Sequence, residues 1–477
     1  MADHLLDAFA QSVARYGDRI ALIEGDGTRV SFRQLQSRAR AFAAKWSAAG
    51  LGPGDRLLVA MPIGADLYAA LAAIWSLGAV AVLPEPAMGL KGVRHAVAIG
   101  GIKGLCAAGG YRWLRLLLPA LWGKPLFSPG SGHVEPSEIG RQTKAEDLAL
   151  ISFTSGSTGA PKAIPRSHAF LMAQRRAVSP LLKSPLDEVD LVAFPVFVLI
   201  NLAEGRTSVL PNWRMSRLDE LSSAQLQGWI TAQQVTRLLL PPALCETLAQ
   251  TNIPESVTTL FTGGGPVFPD LVAKLKSRAP ALRIVSVYGS TEAEPIAEFE
   301  ASDTDPDDLE AMKTGSGLLA GAPVSPVQVR IEDSEILVSG PHVNDGYLDP
   351  ARDAETKVSM DGKIWHRTGD AGYLDPRGRL WLLGRAGGAV QTCMGDVHPF
   401  VIETAARQWP GVRRVALVRI GDQGALAIEG DAGMKAAWAT AAAAFGIEDV
   451  RVIAKMLMDR RHRSKVDMAA LKTLLER

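Results

Sequence analysis

The chain contains few cysteines and carries almost no net charge, and each of these properties excludes some classes of protein. Its 477 residues include three cysteines, Cys106, Cys245 and Cys393, which are far apart and show no metal-ligand spacing. Such sparse use predicts a reducing compartment and buried cysteine side chains. With 51 Lys and Arg against 50 Asp and Glu, the formal net charge is +1. There is no overall field to attract nucleic acid, and no nucleic-acid partner is expected.

Long apolar segments are also scarce. The first residues, MADHLLDAFAQ, lack the basic region and the apolar run of a secretory leader. The longest apolar stretch, Leu67–Pro84, is divided by Gly78, whereas a membrane span needs about 20 unbroken apolar residues. This stretch predicts a buried helix followed by a strand. We therefore expect a cytoplasmic protein.

One shorter segment leaves a second interpretation open. Trp113–Trp122, WLRLLLPALW, combines two Trp with several Leu and a single Arg. It is typical of a helix packed on the core. It is also typical of a surface that touches a membrane or a partner protein, which would make the chain peripherally membrane-associated.

The order of apolar and polar segments predicts an α/β protein of two or three domains, since the chain is too long for one core. Short apolar strands alternate with helical segments as far as Ile284–Tyr288, a pattern typical of a parallel sheet covered by helices. The acidic, Pro-containing segment Asp303–Glu310 predicts a solvated loop. From Val327 the pattern changes to short strands and turns, which predicts a small antiparallel barrel or meander.

The last 90 residues return to a mixed α/β pattern. Gly387–Gly388 precedes it and can serve as a hinge, because glycine accepts unusual backbone angles at little cost. We therefore predict an N-terminal domain over residues 1–385 and a mobile C-terminal domain over residues 386–477.

A polar loop follows the apolar strand Leu148–Phe153. Thr154–Gly159 contains only Ser, Thr and Gly, and Lys162 lies three positions later. Such a loop can turn backbone N–H groups and hydroxyls toward a phosphate, with an ammonium nearby, although it is not a Walker A loop. By composition alone, a flexible surface turn is the alternative.

Two further loops follow predicted strands in the same way. The glycine run Gly263–Gly265 follows Thr259–Thr262, and Gly289–Glu292 follows Ile284–Tyr288. Ligands of open α/β sheets bind at the carboxyl ends of the strands. The three loops therefore predict one composite site.

Six motifs follow one another along the chain. They are TSGSTGAPK at Thr154–Lys162, GGGP at Gly263–Pro266, YGSTE at Tyr288–Glu292, GYL at Gly346–Leu348, RTGD at Arg367–Asp370 with Gly384–Arg385, and SKVDMAAL around Lys465. Together they resemble the adenylate-forming superfamily of acyl-CoA synthetases, luciferases and peptide-synthetase adenylation domains. The resemblance implies a large N-terminal domain of stacked α/β sheets with a small β-barrel-like subdomain, and a small mobile α+β C-terminal domain.

The resemblance also implies how a carboxylate would be joined to AMP, with ATP and Mg²⁺ as cofactors. Attack of the carboxylate on the α-phosphorus of ATP requires that charge be neutralised and that the attacking and leaving groups lie in line. The implied pyrophosphate contacts are Thr154, Ser155, Gly156, Ser157, Thr158, Gly159 and Lys162. The implied adenine contacts are Gly263, Gly264, Gly265 and Tyr288, with Gly289 beside them.

The remaining roles implied by the resemblance concern the ribose, the metal and the reacting groups. Asp370 and Arg385 would hold the ribose, Glu292 would bind Mg²⁺, and Thr291 would contact the α-phosphate. Lys465 would bridge the carboxylate and the α-phosphate. By local context alone, Glu292 is also typical of a helix start, Asp370 of a turn, and Lys465 of a solvated basic cluster.

Several segments are similar to one subgroup, the olefin β-lactone synthetases. Phe194–Leu202 is almost wholly apolar, with Asn201 the exception, and Asp459–Val466 reads DRRHRSKV. The resemblance implies an aliphatic acyl pocket that includes Phe197, Val198 and Asn201. It also implies that a long 2-alkyl-3-hydroxy acid is adenylated and then closes to a lactone, with olefin-pathway enzymes or a membrane surface as partners.

Two other functions stay open from the sequence. One is a fatty acyl-CoA or acyl-carrier-protein ligase, although Gln391–Gly395 departs from the loop that serves thioester formation. The other is a non-catalytic adenylate-binding scaffold, which the presence of all the motif residues disfavours. For lactone closure, the candidate bases by motif position are His366, His398 and His462.

Overall fold

A computed structural model of the chain describes residues 4–84, 88–130, 143–154, 161–421, 423–459 and 463–476. These residues form two compact units. The first contains residues 1–214, 229–239 and 341–355, and the second contains residues 215–228, 240–340 and 356–477. Each unit is described by itself.

The elements up to residue 240 belong mainly to the first unit. In chain order they are α1 (Leu5–Tyr16), β1 (Ile20–Ile23), β2 (Arg29–Ser31), α2 (Phe32–Ala48), β3 (Arg56–Ala60), α3 (Ala65–Ser76), β4 (Val80–Leu83), α4 (Gly89–Ile99), β5 (Gly104–Ala107), α5 (Leu114–Leu117), β6 (Leu126–Phe127), β7 (Leu148–Phe153), β8 (Ala163–Ser167), α6 (His168–Val178), β9 (Val189–Val192), α7 (Pro195–Glu204), β10 (Thr207–Val209), α8 (Ser223–Ala232) and β11 (Arg237–Leu240).

Two sets of strands organise the first unit. One has the order β6-β5-β3-β4-β7-β8, parallel throughout except for the antiparallel pair β7–β8. The other has the order β11-β9-β10-β1-β2, parallel except for β1–β2. The alternating parallel arrangement predicted from the sequence is therefore confirmed for these strands.

The long apolar stretch folds as the sequence predicts. Residues of α3 are buried around almost the whole helix, Gly78 has a φ of +70° just after it, and β4 follows at Val80. Glycine adopts this left-handed angle without the steric cost that a side chain would add. No helix in the described part of the chain is long and apolar enough to cross a bilayer.

The later elements belong to the second unit, apart from the start of α12. They are α9 (Pro242–Leu248), β12 (Thr259–Gly263), α10 (Pro269–Arg278), β13 (Arg283–Ser290), β14 (Ala293–Glu300), α11 (Pro306–Thr314), β15 (Leu318–Pro323), β16 (Gln328–Glu332), β17 (Glu335–Ser339), α12 (Asp353–Thr356), β18 (Lys357–Met360), β19 (Lys363–Leu374), β20 (Leu380–Arg385), β21 (Val390–Thr392), β22 (Gly395–Val397), α13 (Pro399–Ala406), β23 (Val412–Ile420), β24 (Gln423–Gly430), α14 (Lys435–Ala443), β25 (Asp449–Ile453) and α15 (Met468–Leu475).

The second unit is largely antiparallel. Its strands run β16-β17-β19-β20-β15-β14-β13-β12, with β18 beside β19, and within this series only β12–β13 is parallel. The predicted change to antiparallel strands after Val327 is confirmed by β16–β20. A hairpin β21–β22 and a sheet β23-β24-β25 follow, with α13 and α14 packed on the buried face of the latter. The predicted domain boundary at residue 385 stays a prediction.

The acidic segment after β14 is not the solvated loop that its charge predicts. Asp305 is the N-cap of α11, and it exchanges capping hydrogen bonds with Asp308. Asp308 is buried and also pairs with Arg377 and Arg379. The prediction of a loop was wrong because Asp305 and Asp308 cap a helix and Asp308 pairs with distant guanidinium groups, whereas Asp303, Asp307 and Glu310 are exposed.

Two of the three cysteines are buried and one is not. Cys106 and Cys245 are fully buried, and burial raises the pKa of each thiol to about 12. Cys393 is exposed in the turn between β21 and β22. The expectation that all three lie in the core was therefore wrong for Cys393.

Candidate active site

Three side chains of the second unit, which come from two of the six motifs, are joined by hydrogen bonds. The Tyr288 hydroxyl donates to Asp370 Oδ2 over 2.8 Å, and Arg385 Nη1 donates to Asp370 Oδ1 over 2.9 Å. Burial, and then the charge of Asp370, raise the pKa of Tyr288 well above its ordinary value, so its hydroxyl stays protonated and donates. An ionised carboxylate accepts about four hydrogen bonds, so Asp370 keeps capacity for a ligand.

Strand register explains why Asp370 meets Arg385. The two residues lie opposite one another in the antiparallel pair β19–β20. Glu335, at the start of β17, accepts from the backbone N–H of Gly369 over 3.0 Å and from Arg367 Nε over 2.7 Å. The turn-like RTGD sequence is thus part of a strand that a neighbouring carboxylate holds in place.

The glycine run at the end of β12 permits close contacts. A Cβ at Gly263 would lie 2.3 Å from the carbonyl oxygen of Val287 on the adjacent strand. Gly264 follows with a φ of +76°. A Cβ at Gly265 would lie 2.6 Å from Ser464 Cβ and 2.9 Å from its carbonyl oxygen. A side chain at either position would therefore separate segments that now touch.

Thr291 and Glu292 form the two-residue turn between β13 and β14. Ser290 pairs with Ala293 across this turn, and Gly289 lies beside a register shift. Both turn residues are half-buried. Burial lowers the pKa of Arg385, but Asp370, and more weakly Tyr288 and Glu292, outweigh that effect and raise it. Glu292 thus lies within electrostatic reach of the Asp370–Arg385 pair.

The segment that contains Lys465 is docked on the glycine run. Ser464 is buried against Gly265, and its hydroxyl accepts from the backbone N–H of Ala243 at the start of α9 over 3.2 Å. The backbone of Lys465 bonds to Asp459 in both directions, from Lys465 N to Asp459 Oδ1 over 2.9 Å and from Asp459 N to Lys465 O over 2.8 Å. The Lys465 side chain is exposed.

Thr154 and Lys162 lie at the two ends of the loop that the sequence predicts to bind phosphate, in the first unit. The backbone N–H of Thr154 donates to the carbonyl of Lys162 over 3.1 Å, which continues the β7–β8 pairing. The loop residues between them, Ser155, Gly156, Ser157, Thr158 and Gly159, lie outside the described residues.

The Lys162 ammonium has two neighbours, one in the GYL motif and one shortly after it. It lies 3.0 Å from Glu355 Oε2 and 5.2 Å from the centroid of the Tyr347 ring. Its side chain is 16% exposed. The hydrogen bond from Lys162, followed by that from Arg352, lowers the pKa of Glu355, so this carboxylate is ionised. The ammonium has three donors, so the pair leaves capacity for a further anion.

The predicted acyl-pocket residues lie on α7 in the first unit. Val198 and Asn201 are buried, whereas Phe197 is half-buried and packs edge-on against Phe194. Asn201 Nδ2 donates to Asp190 Oδ2 over 2.9 Å, and Asp190 forms a buried ion pair with Arg237. The Asn201 amide is therefore part of a polar network in the core, and its place in an acyl pocket stays a prediction.

Several residues that hold the motifs in place are not predicted from the sequence. Glu335 supports the RTGD strand, Glu355 and Tyr347 contact Lys162, and Ser464 packs on Gly265. Glu335 and Glu355 lie outside the motifs, and no periodic pattern in the sequence marks them. Ser464 and Tyr347 lie within recognised motifs, next to Lys465 and Gly346, and this position was the one sequence signal that could have identified them.

Comparison with known proteins defines the class to which these features belong. The family model described as AMP-binding enzyme matches residues 9–348, and the chain belongs to that family. It is an adenylate-forming ligase, and its α/β fold is that of the adenylate-forming enzymes, as the sequence predicts.

Two relatives that this chain resembles are both olefin beta-lactone synthetases. The chain is 31% identical over 439 residues to the olefin beta-lactone synthetase of Stenotrophomonas maltophilia (strain K279a), which covers 83% of this chain and 79% of the relative. It is 31% identical over 445 residues to the olefin beta-lactone synthetase of Xanthomonas campestris pv. campestris (strain ATCC 33913 / DSM 3586 / NCPPB 528 / LMG 568 / P 25), with the same two coverages.

A solved structure shares the fold at lower identity. It is the O-succinylbenzoate coenzyme A synthetase (MenE) of Bacillus subtilis in complex with ATP and magnesium ion. The TM-score is 0.80 at 20% identity, over 98% of this chain and 99% of that one.

Proposed function

We propose that this ligase uses ATP and Mg²⁺ to adenylate a long-chain 2-alkyl-3-hydroxy acid and then closes the product to a β-lactone, with release of AMP and pyrophosphate. The observation that carries the proposal is the similarity to two olefin beta-lactone synthetases over about four fifths of each chain. The contacts among the motif residues support the adenylation step, and the apolar sequence of α7 supports an aliphatic substrate.

The nucleoside would bind in the second unit. Asp370 would accept hydrogen bonds from the two ribose hydroxyls, because Tyr288 and Arg385 occupy one position on each of its oxygens. Arg385 orients the Asp370 carboxylate through a charge-assisted hydrogen bond. The adenine would lie beside the backbone of Gly263–Gly265, as the family resemblance implies, with the Tyr288 ring available for stacking.

The phosphates would be bound by the loop that begins at Thr154 and ends at Lys162. The Lys162 ammonium is already oriented by Glu355, so phosphate binding would not have to immobilise a free lysine side chain. Thr291, in the turn after β13, would donate a hydrogen bond from its hydroxyl to the α-phosphate.

The residues present fit a magnesium ion that is held mainly by the nucleotide. Among the described residues, no group of three His, Cys, Asp or Glu side chains could hold a metal ion, so a cage made of protein alone is absent from that part of the chain. Mg²⁺ typically binds through one or two carboxylates together with substrate phosphates and water, and Glu292 would supply the carboxylate. When bound, the ion neutralises charge on the phosphate oxygens.

Lys465 would stabilise the charge that develops between the carboxylate and the α-phosphate. Its backbone is held by Asp459, and its neighbour Ser464 is packed on the glycine run proposed for adenine. A short, well-anchored segment reduces the entropy lost when the ammonium is positioned in the transition state.

Lactone closure would use the acid's own hydroxyl as the nucleophile. The 3-hydroxyl oxygen forms a bond to the acyl carbon, the bond from that carbon to the AMP oxygen breaks, and AMP leaves with the electron pair. The hydroxyl proton passes to a base. Intramolecular attack supplies a high effective concentration, and loss of the mixed anhydride offsets the ring strain.

Of the three candidate bases, two are described. His366 is buried, with Nδ1 3.3 Å from Lys357 Nζ. His398 precedes α13 and is half-buried, and burial lowers its pKa although Asp396 opposes the shift. A neutral imidazole at neutral pH can accept a proton. His462 lies outside the described residues.

The decisive experiment supplies the purified enzyme with ATP, Mg²⁺ and a 2-alkyl-3-hydroxy acid, without coenzyme A, and follows the products by NMR. We expect β-lactone and AMP in equal amounts. The matched control is the same acid without its 3-hydroxyl, which should be adenylated but should form no lactone.

Two outcomes would replace the proposal. AMP release that requires coenzyme A or an acyl carrier protein and yields a thioester would assign the chain to the acyl-transferring ligases. Absence of carboxylate-dependent pyrophosphate exchange across a broad panel of acids would instead favour an adenylate-binding scaffold.

A further inference from the structure

The segment between β5 and β6 presents an apolar surface that the proposed chemistry does not use. It comprises residues 109–124, here called the edge segment, and leads into β6, which is the edge strand of its sheet. Leu114, Leu118 and Leu121 are buried in the core of the first unit, with exposures of 8%, 2% and 0%. The backbone of the edge segment is therefore anchored to the fold.

Between these anchors, large apolar side chains face solvent. Trp113, Leu116, Leu117 and Trp122 are 64%, 63%, 56% and 63% exposed, and Tyr111 is 47% exposed. The Trp122 indole N–H donates to the carbonyl of Leu116 over 3.3 Å, and Trp113 precedes Leu116 and Leu117 by about one helical turn. The exposed groups are thus neighbours. A clustered apolar surface of this kind marks an interaction site.

The stretch of sequence that contains this surface carries charge of one sign. Residues 86–134 contain no Asp or Glu, whereas roughly one residue in ten of the whole chain is acidic. Six cations lie in the same stretch: Lys91, Arg94, Lys103, Arg112, Arg115 and Lys124. Arg112 and Arg115 lie within the edge segment and are exposed. Among the described residues, Lys103 pairs with Asp55, and no ion pair involves Arg112 or Arg115.

A neighbouring helix extends the basic surface. The turn Pro119–Leu121 contacts α4, and α4 carries Lys91 and Arg94 as exposed residues. Because the net charge of the chain is +1, this positive region is balanced by acidic residues elsewhere. Its attraction for an anion is therefore local to this face and falls off within about 8 Å in physiological salt.

We propose that the edge segment binds the surface of an anionic phospholipid membrane. Trp, Tyr and Leu side chains enter the boundary between headgroups and acyl chains, where amphipathic aromatic rings are favoured. Arg112 and Arg115 pair with lipid phosphates. A protein partner could supply carboxylates that pair with the arginines. Binding to such a partner would not, however, require exposed Trp and Leu side chains together with charge of one sign. This inference does not depend on which acid the enzyme activates.

The test is flotation of the purified, full-length chain with lipid vesicles in the absence of ATP and acid. We expect the protein to float with vesicles of phosphatidylcholine mixed with phosphatidylglycerol, and to remain largely unbound with phosphatidylcholine alone. Leu116→Gln combined with Leu117→Gln, and separately Arg112→Gln combined with Arg115→Gln, should each lower the bound fraction at limiting lipid by at least about tenfold.

Matched controls use exposed residues elsewhere. Leu186 is 65% exposed, and Leu186→Gln should leave flotation unchanged. Arg29 and Arg40 are also exposed, and their combined change to Gln tests whether any loss of positive charge has the same effect. Circular dichroism and the pyrophosphate-exchange rate should be the same in all variants, since none of these side chains is in the core.

Several results would overturn the inference. The wild-type chain could fail to float with the anionic vesicles, or the edge-segment variants could float as well as the controls. A change of oligomeric state in the Leu variants without vesicle binding would assign the surface to a second copy of this chain. Binding of a purified protein that the Leu variants abolish, again without vesicle binding, would assign it to a protein partner.

Discussion

Removal of the charge on Asp370 is the sharpest test of the nucleotide site, because the structure limits what else the change can disturb. In Asp370→Asn, one amide oxygen can still accept from the Tyr288 hydroxyl, now 2.8 Å from Oδ2. The Arg385 side chain loses its carboxylate partner but is 58% exposed and stays solvated, so the fold should lose no more than about 1 kcal/mol.

The expected loss of affinity for ATP is much larger than this loss of folding stability. Hydrogen bonds to a charged group contribute about 1.5–3 kcal/mol each, and the variant weakens both bonds to the ribose. A total of about 2–4 kcal/mol corresponds to a KM for ATP that rises by about 30-fold to 1000-fold. Pyrophosphate exchange at varied ATP gives this constant, and calorimetric titration with a non-hydrolysable ATP analogue measures binding directly.

Comparison with 2′-deoxy-ATP distinguishes the loss of a contact to the ribose from a general loss of ATP affinity. Wild type should discriminate against it by about 10-fold to 150-fold, which is the value of one charged hydrogen bond. Asp370→Asn should show almost no discrimination, whereas Tyr288→Phe, which leaves both carboxylate oxygens in place, should keep it. An Asp370→Asn enzyme that distinguishes the two nucleotides as wild type does would refute the assignment of this carboxylate to the ribose.

Three further predictions concern the segment around Lys465, the glycine that contacts it, and helix α13. Lys465→Ala should lower the rate of adenylation by about 100-fold or more while ATP binding stays within about threefold, and equal loss of both would show that its assignment is wrong. Gly265→Ala should displace the segment at Ser464 and lower kcat, because the new Cβ would lie 2.6 Å from Ser464 Cβ; a crystal structure that shows the segment displaced would confirm it, and an unmoved segment would contradict it. Burial raises the pKa of Glu403 to about 7 from 4.5, so its neutral form is favoured on folding and the free energy of unfolding should fall by up to about 3 kcal/mol as the pH rises from 4.5 through 7. Glu403→Gln, measured by thermal unfolding across that range, should flatten this slope, and an unchanged slope would exclude Glu403 as its source.

The wrong expectation for Asp303–Glu310 has a physical cause. The high charge of this segment predicts a loop, but in the structure Asp305 caps a helix and Asp308 forms an ion pair with Arg379. Composition predicts contact with water, but a partner that is distant in sequence can satisfy a polar group inside the protein.

The local features of the fold were determined by the sequence alone. The apolar run Leu148–Phe153 predicts β7 with the observed bounds, because a buried strand leaves a continuous apolar signature. The position of the polar loops after the strands, and the order of the motifs, were equally local properties. They were sufficient to predict the adenylate-forming family that the comparisons confirm.

Only the tertiary structure decided which motif residues meet. Tyr288 and Asp370 are bonded across 82 positions of sequence, Lys162 pairs with Glu355, and Gly265 lies against Ser464. These contacts depend on strand register and on how loops close against one another, and neither leaves a periodic trace in the chain. The same holds for the edge segment: its pattern of Trp and Leu was visible in the sequence, but whether each side chain is an anchor or is exposed was decided by packing.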